Sequence, residues 1–455
     1  MPPRLIDSLA TTTPLAEVFS DHSVIKAMLA FEAALARAEA KVGIVPKPAA
    51  ASISAIAENF EFDSAKLARD ALRAGTLAIP LVKLLTDRVN AKDPEAAGYV
   101  HWGATSQDVA DTALILLLKR AQSLISGDLL RLEEALSRLS EQHKNTVMMG
   151  RTLLQAAPPT TFGLKAAGWF AAIRRSRIRL ENAFRETAVV QFGGASGTLA
   201  ALGDKGLAVG RALADELGLG YPDAPWHTHR DRLAAYITSC GVLTGYLGKM
   251  ARDISLLAQT EVAEAAEFGG EGRGGSSTMP NKRNPIASTI TLAAANRTPG
   301  LVAAFLSSMV QEHERAAGGW QAEWPIVAAV VEATGLASAS MAEAAGGLEI
   351  SPEKMRNNIA ATKGSVFAER AMMLLARAMG RSAAHALVQK ASQRSAAEKR
   401  RLSDVLNEMQ EVSAVLSQQT LRSLETPEEY LGVAEEFRKR LLSRREPPKS
   451  GEERE

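Results

Sequence analysis

The sequence predicts an all-α protein, and three observations carry that expectation. Alanine and leucine crowd most segments while aromatic residues make up only 5% of the chain, whereas strands draw on aromatic and β-branched side chains. Apolar residues recur at three- and four-residue intervals, as in Leu129, Leu132, Leu136 and Leu139, and again in Ile237, Cys240, Leu243, Leu247, Met250, Ile254 and Leu257. That is the period of one helix face. Few runs alternate with the two-residue period of a half-buried strand.

Taken in order, residues 1–105 read as an N-terminal helical domain whose shorter helices are interrupted by Pro46, Pro48, Pro80 and Pro94, because proline ends or kinks a helix. Residues 106–350 read as a central bundle of long helices. One is expected from 108 to about 146 with Gly127 as its weak point, and one from 232 to 267 without a proline. A third starts at Pro285 and a fourth follows Trp324. Helices of about 30 residues span about 45 Å, so such rods need neighbours along their length, in a bundle or from other subunits. Residues 351–440 read as a C-terminal helical domain, opened by Ser351 as a cap with Pro352 at the first helical position. The charged, proline-bearing residues 441–455 read as a disordered tail.

Composition narrows the function. The 455 residues hold 53 Lys and Arg against 51 Asp and Glu, a formal net charge of +2, which argues against a nucleic-acid binder that relies on a global basic field. Cys240 is the one cysteine, so an intrachain disulfide framework and a multi-cysteine zinc site are excluded and a reducing compartment is expected. No run of about 18 uninterrupted apolar residues occurs, and the start MPPRLIDSLATTTP lacks the basic-then-apolar order of a signal peptide. A soluble, cytoplasmic protein without membrane or nucleic-acid partners is expected. His227 and His229 invite a metal reading, but no cysteine or carboxylate spacing accompanies them, so no metal is expected.

Residues 268–285, FGGEGRGGSSTMPNKRNP, stand apart. Five glycines directly after a strong helical pattern cannot continue the helix and favour a mobile loop. The loop carries Ser276, Ser277 and Lys282, and ends on Asn284 before Pro285, which reads as an N-cap with proline at the first helical position. Hydroxyls, an ammonium and an amide beside a helix start suit the handling of an anion; an exposed flexible linker is the plain alternative. Gly270-x-Gly272-x-x-Gly275 follows a helix rather than a strand, so it is not read as a dinucleotide site. Thr105, Ser106 and Gln107, just before Asp108, can hold a carboxylate at a helix's positive end or simply cap it.

The run from Gly275 to Pro285, GSSTMPNKRNP, resembles the signature of the aspartase/fumarase superfamily. HWGATSQDV from His101 is similar to that family's first motif block, and Gly150-Arg151-Thr152-x-x-Gln155 to its second. Further stretches, GGASGTLAALG from Gly193, WHTHRDRL from Trp226 and HERAAGGWQAEW from His313, resemble its cycloisomerase branch. The resemblance implies three helical domains, a central bundle that tetramerises, active sites shared between subunits, and no cofactor. It implies a small tricarboxylate substrate, 3-carboxy-cis,cis-muconate, closed to a lactone in the protocatechuate branch of aromatic catabolism. An adenylosuccinate-lyase-like C–N lyase releasing fumarate is the alternative.

Carried over by position, the resemblance makes Ser276 the catalytic hydroxyl that handles the proton on carbon, with Lys282 and Asn284 holding the carboxylate that turns enolate-like. Thr105, Ser106, Gln107, Arg151, Thr152, Gln155 and Arg315 would bind substrate, and His101 lies in a block that lines the site. Two departures stand out. The fumarases and adenylosuccinate lyases carry a histidine after Gly-Arg-Thr and a glutamate seven residues past the signature lysine; this chain has Leu153 and Thr289. An amine or hydroxide leaving group needs a general acid, but a carboxylate does not. Residues 286–290, IASTI, also offer no charge for a nucleotide phosphate.

Overall fold

In a computed structural model, the structure describes residues 5–268, 274–275, 279 and 282–443. The long rods expected from the apolar period are present as helices Asp21–Val42, Ser106–Gln142, Phe162–Thr187, Asp231–Leu257, Ile286–Ser308 and Gly319–Gly346. The 37 residues of Ser106–Gln142 make a rod about 55 Å long, and it runs through Gly127 without a break. Among the described residues, β-structure is confined to short antiparallel ladders, Val147–Thr152 with Gln155–Thr161 and Ala265–Ala266 with Glu349–Ile350. The hairpin Val147–Thr161 interrupts what the sequence reads as all helix; the fold class is all-α nonetheless.

Packing sorts the chain into two compact units. One comprises the chain up to Leu130 with Arg175–Lys249 and Ile290–Met341; the other comprises Arg131–Arg174, Met250–Thr289 and the chain from Ala342 on. In the first unit, helix Asp21–Val42 is capped by the Ser20 hydroxyl and closed by Gly43 in the left-handed region. Its buried face, Ile25, Met28, Leu29, Phe31 and Leu35, packs with Ile53, Leu81, Leu85, Val109 and Leu213 into one core. Cys240 lies in the same unit, fully buried, and burial pushes its thiol up to about 12. In the second unit a separate core joins Val147 to Phe367, Leu375, Val388, Leu402 and Leu406. There Ser351 caps Lys354 N–H as its sequence position predicts. Helix Gly319–Gly346 is long and apolar enough to cross a membrane by composition, but 61% of its most apolar window is buried in the protein, as in a core helix.

Two helix boundaries depart from expectation. The helix expected to run to residue 267 ends at Leu257. Ala263 adopts a left-handed φ of 49° and Glu264 turns inward, fully buried. Arg151 and Asn358 bind Glu264 there, so tertiary pairing overrides a favourable local propensity. The helix expected after Trp324 starts five residues earlier, at Gly319, and carries Pro325 inside it.

One buried acid has a measurable consequence. Glu39 is fully buried, and neither of its carboxyl oxygens has a partner among the described residues. Burial first, then the charge of Glu32, pushes its pKa up to about 9. The stability such a carboxyl contributes is complete below its unfolded value and is lost as pH rises through the folded one. Glu39→Met, apolar and of similar length, is expected to raise the thermal midpoint, with a gain that widens between about pH 5 and about pH 9. Melting curves of the two proteins across that range check it, and a gain that shrinks with pH would contradict a neutral Glu39.

Candidate active site

The first unit collects its polar side chains at the N-terminus of helix Ser106–Gln142. Thr105 N–H donates to the Asp108 carboxylate at 3.1 Å and Asp108 N–H to the Thr105 carbonyl at 3.0 Å, the reach-back half of a capping box. The Thr105 hydroxyl, however, accepts from Arg315 Nη1 at 2.8 Å. The other arm of that guanidinium donates to the Ala195 carbonyl at 3.1 Å, and Arg315 Nε is buried without a partner among the described residues. A guanidinium beside the positive end of a long helix favours an anion. His101 belongs to the same corner. Its Nδ1 lies 2.7 Å from the Glu32 carboxylate, and its backbone is left-handed at φ 58°.

Asp108 organises the corner from beneath. Its buried carboxylate accepts from Gly193 N–H at 3.0 Å, Gly194 N–H at 2.9 Å and His227 Nε2 at 2.8 Å. Glycine is required here: Gly194 sits at φ 68°, and a Cβ on Gly193 would lie 2.7 Å from Pro225 and 2.8 Å from His227. One turn further along the helix, the buried Asp111 accepts from Arg230 Nη1 at 2.7 Å, Gln107 Nε2 at 3.1 Å and Trp320 Nε1 at 3.2 Å. Arg230 also binds Glu323 through Nε at 3.0 Å and stacks over the Trp226 ring at 4.7 Å. Burial raises the pKa of Glu323, against the pull of Arg230.

The second unit holds the other motif residues. Hairpin Val147–Thr161 carries Arg151, Thr152 and Gln155, with Thr152 opposite Gln155 across a two-residue turn of Leu153 and Leu154. Both leucines adopt left-handed φ, 50° and 65°, and are 97% and 76% exposed. At the base of the signature segment, Asn284 N–H donates to the Gly274 carbonyl at 2.9 Å, and Arg283 spans the Glu349 carboxylate and the Glu267 carbonyl. The Glu267 carboxylate accepts from Ala287 N–H, Ser288 N–H and the Ser288 hydroxyl at 2.9, 2.8 and 2.6 Å. Glu267 therefore caps helix Ile286–Ser308, and the cap expected from Asn284 is corrected. The first helical turn accepts at the Pro285 carbonyl, a residue with no side-chain acceptor, so the cap comes from a distant carboxylate.

The structure thus brings His101, Thr105, Ser106, Gln107 and Arg315 together in the first unit, while Arg151, Thr152, Gln155, Lys282 and Asn284 belong to the second. Ser276 lies outside the described residues. Two residues expected to meet substrate are otherwise engaged. Gln107 gives both N–H groups of its amide to Asp111 and the His227 carbonyl, which leaves only its carbonyl oxygen unpartnered. Arg151 holds Glu264 with both terminal nitrogens, at 2.9 and 2.7 Å. Lys282 and Thr152 are exposed. No group of three metal-ligating side chains occurs among the described residues. Glu32, Asp108, Asp111, Arg230, Glu267 and Glu323 were not singled out by the sequence reading as site residues. The one local signal was the Asp108–Asp111 pair on the opening turns of the longest helix.

Comparisons with known proteins follow the whole chain. A family model described as lyase matches residues 9–300, and one described as adenylosuccinate lyase C-terminus matches residues 364–441. The 3-carboxy-cis,cis-muconate cycloisomerase of Bradyrhizobium diazoefficiens is 47% identical, over 96% of this chain and 97% of its own. The protein of that name from Pseudomonas aeruginosa is 48% identical, over 97% of this chain and 96% of its own. The crystal structure of 3-carboxy-cis,cis-muconate lactonizing enzyme from Pseudomonas putida matches with a TM-score of 0.91 at 44% identity, covering 96% of this chain and 98% of that one.

Proposed function

Because this chain belongs to the lyase family of the fumarase/aspartase superfamily, we propose that it lactonises 3-carboxy-cis,cis-muconate. An oxygen of one substrate carboxylate attacks an alkene carbon and forms the C–O bond. The π pair moves to the neighbouring carbon, beside a second carboxylate, which becomes enolate-like. Ser276 delivers a proton to that carbon and is reprotonated from solvent, so the trianion takes up one proton on becoming a dianionic lactone. Lys282 and Asn284 hold the enolate-like carboxylate, where fixed donors act most strongly on developing charge. Arg315, Thr105, Ser106 and His101 bind the remaining carboxylates, with Gln107 beside them; Arg151, Thr152 and Gln155 are the further substrate-binding residues.

Position 153 carries the reading. Where the lyases that this chain resembles place a histidine, it holds Leu153, 97% exposed on a hairpin tip, and Thr289 replaces the partner glutamate. A carboxylate nucleophile needs no imidazole. Leu153 and Leu154 put adjacent apolar side chains, 97% and 76% exposed, on one hairpin tip, which supports cover by a second copy of the chain. We infer a cytoplasmic homotetramer with shared active sites and three helical domains along the chain. Loss of diene absorbance on carboxymuconate, assayed beside adenylosuccinate and argininosuccinate, tests the function; fumarate release with an untouched diene would replace it with the C–N lyase reading. The paired change Leu153→His with Thr289→Glu is expected to leave lactonisation no faster. A large gain in the same assay would contradict the argument from leaving groups.

A further inference from the structure

Among the described residues the Glu32 carboxylate has one bonded partner. It is buried on helix Asp21–Val42, Oε1 lies 2.7 Å from His101 Nδ1, and Oε2 has no hydrogen-bond partner among those residues. A buried carboxylate with so few donors is costly to keep, and its single partner sits in strained left-handed backbone. Two unfavourable features converge on one contact. Because Nδ1 is taken, Nε2 is the ring nitrogen left to meet a ligand, on a residue four positions before the Thr105 that Arg315 binds.

We propose that Glu32 is a positioning residue, holding the His101 ring so that Nε2–H meets one carboxylate of the polycarboxylate substrate. The electrostatics agree with the geometry. Burial alone would strip the imidazole of its second proton, but the charge and hydrogen bond of Glu32, aided by Asp108, outweigh it and raise the His101 pKa. Burial, with the charge of Glu32 behind it, holds the nearby acid Glu39 toward its neutral form. Arg315 adds a positive charge at Thr105, and His227 is held by Asp108. Asp108 meets five donors, whereas Glu32 serves only the ring. This inference rests on the proposed lactonisation for the identity of the substrate, not for the state of the ring.

Glu32→Gln in the full-length protein tests it. The KM for carboxymuconate is expected to rise about tenfold or more, the loss of a charge-assisted contact, with kcat changed much less. The alkaline limb of kcat/KM is expected to move to lower pH. His101→Gln should give the same rise, and the double variant should be no worse than His101→Gln alone. Additive losses, or an unchanged KM, overturn the proposal. A nuclear magnetic resonance titration of the histidines and calorimetric binding of propane-1,2,3-tricarboxylate need no turnover. A fall in the His101 pKa with weaker tricarboxylate binding supports Glu32 even where carboxymuconate proves not to be the substrate. An unmoved His101 titration overturns it even where carboxymuconate is turned over.

Discussion

Ser276→Ala is expected to lower kcat for lactonisation by about a thousandfold while leaving the circular dichroism spectrum and the oligomeric state unchanged. The magnitude follows from the step at stake. Carbon accepts a proton slowly, and a positioned acid–base group contributes about 10²–10⁴ in rate. The carboxylate that attacks is already ionised and needs no activation, so under the role proposed for Ser276 the substitution removes the one proton transfer on which turnover depends. Substrate binding should survive, because Arg315, Thr105, Lys282 and Asn284 are untouched. The check is KM and kcat from diene loss on the purified variant. Activity kept within about threefold of the parent would move the proton donor elsewhere, with Ser277 as the next candidate.

Arg230→Met is expected to be the most damaging substitution for stability, costing about 3–5 kcal/mol. Arg230 joins Asp111 and Glu323, so one residue from each of the three segments of the first unit meets at a single buried point. Burial pulls the guanidinium toward neutrality, and the two carboxylates more than reverse that, so it stays charged. Without it, two carboxyl groups stand together with no cation. The Glu323 pKa, already raised by burial, would rise further once the pull of Arg230 is gone, and the stability that its protonated form retains would be lost as pH increases. The deficit should therefore narrow on acidification from neutral pH. Arg230→Met combined with Glu323→Met should recover much of the loss, because Asp111 keeps Gln107 and Trp320 as donors. Urea unfolding of Arg230→Met, Glu323→Met and the double variant measures this; a double variant whose loss equals the sum of the singles would count against charge burial as the cause.

Legibility followed the range of the interaction. The long helices were readable because their apolar period is local, and the cap at Ser351 because it is three residues wide. Helix Asp231–Leu257 was overrun because the reason for its end, Glu264 facing Arg151 and Asn358, lies 113 and 94 residues away. The hairpin was missed because its tip is a pair of leucines, not the Asn-Gly or Asp-Gly that such a turn ordinarily demands. In the site, Thr105 and Arg315 were named through a resemblance; their contact across 210 positions has no signature of its own in the sequence. Glu32 reads as one more acid on an amphipathic helix until His101 is seen beside it.

Cys240 has a practical consequence. A thiol that is fully enclosed and held up to about 12 presents almost no thiolate to maleimides, iodoacetamide or peroxide at neutral pH. The chain thus behaves toward such reagents as though it contained no sulfhydryl. An added cysteine at an open position such as Leu72 would be its sole attachment point for a fluorophore or spin label, with no background to remove first.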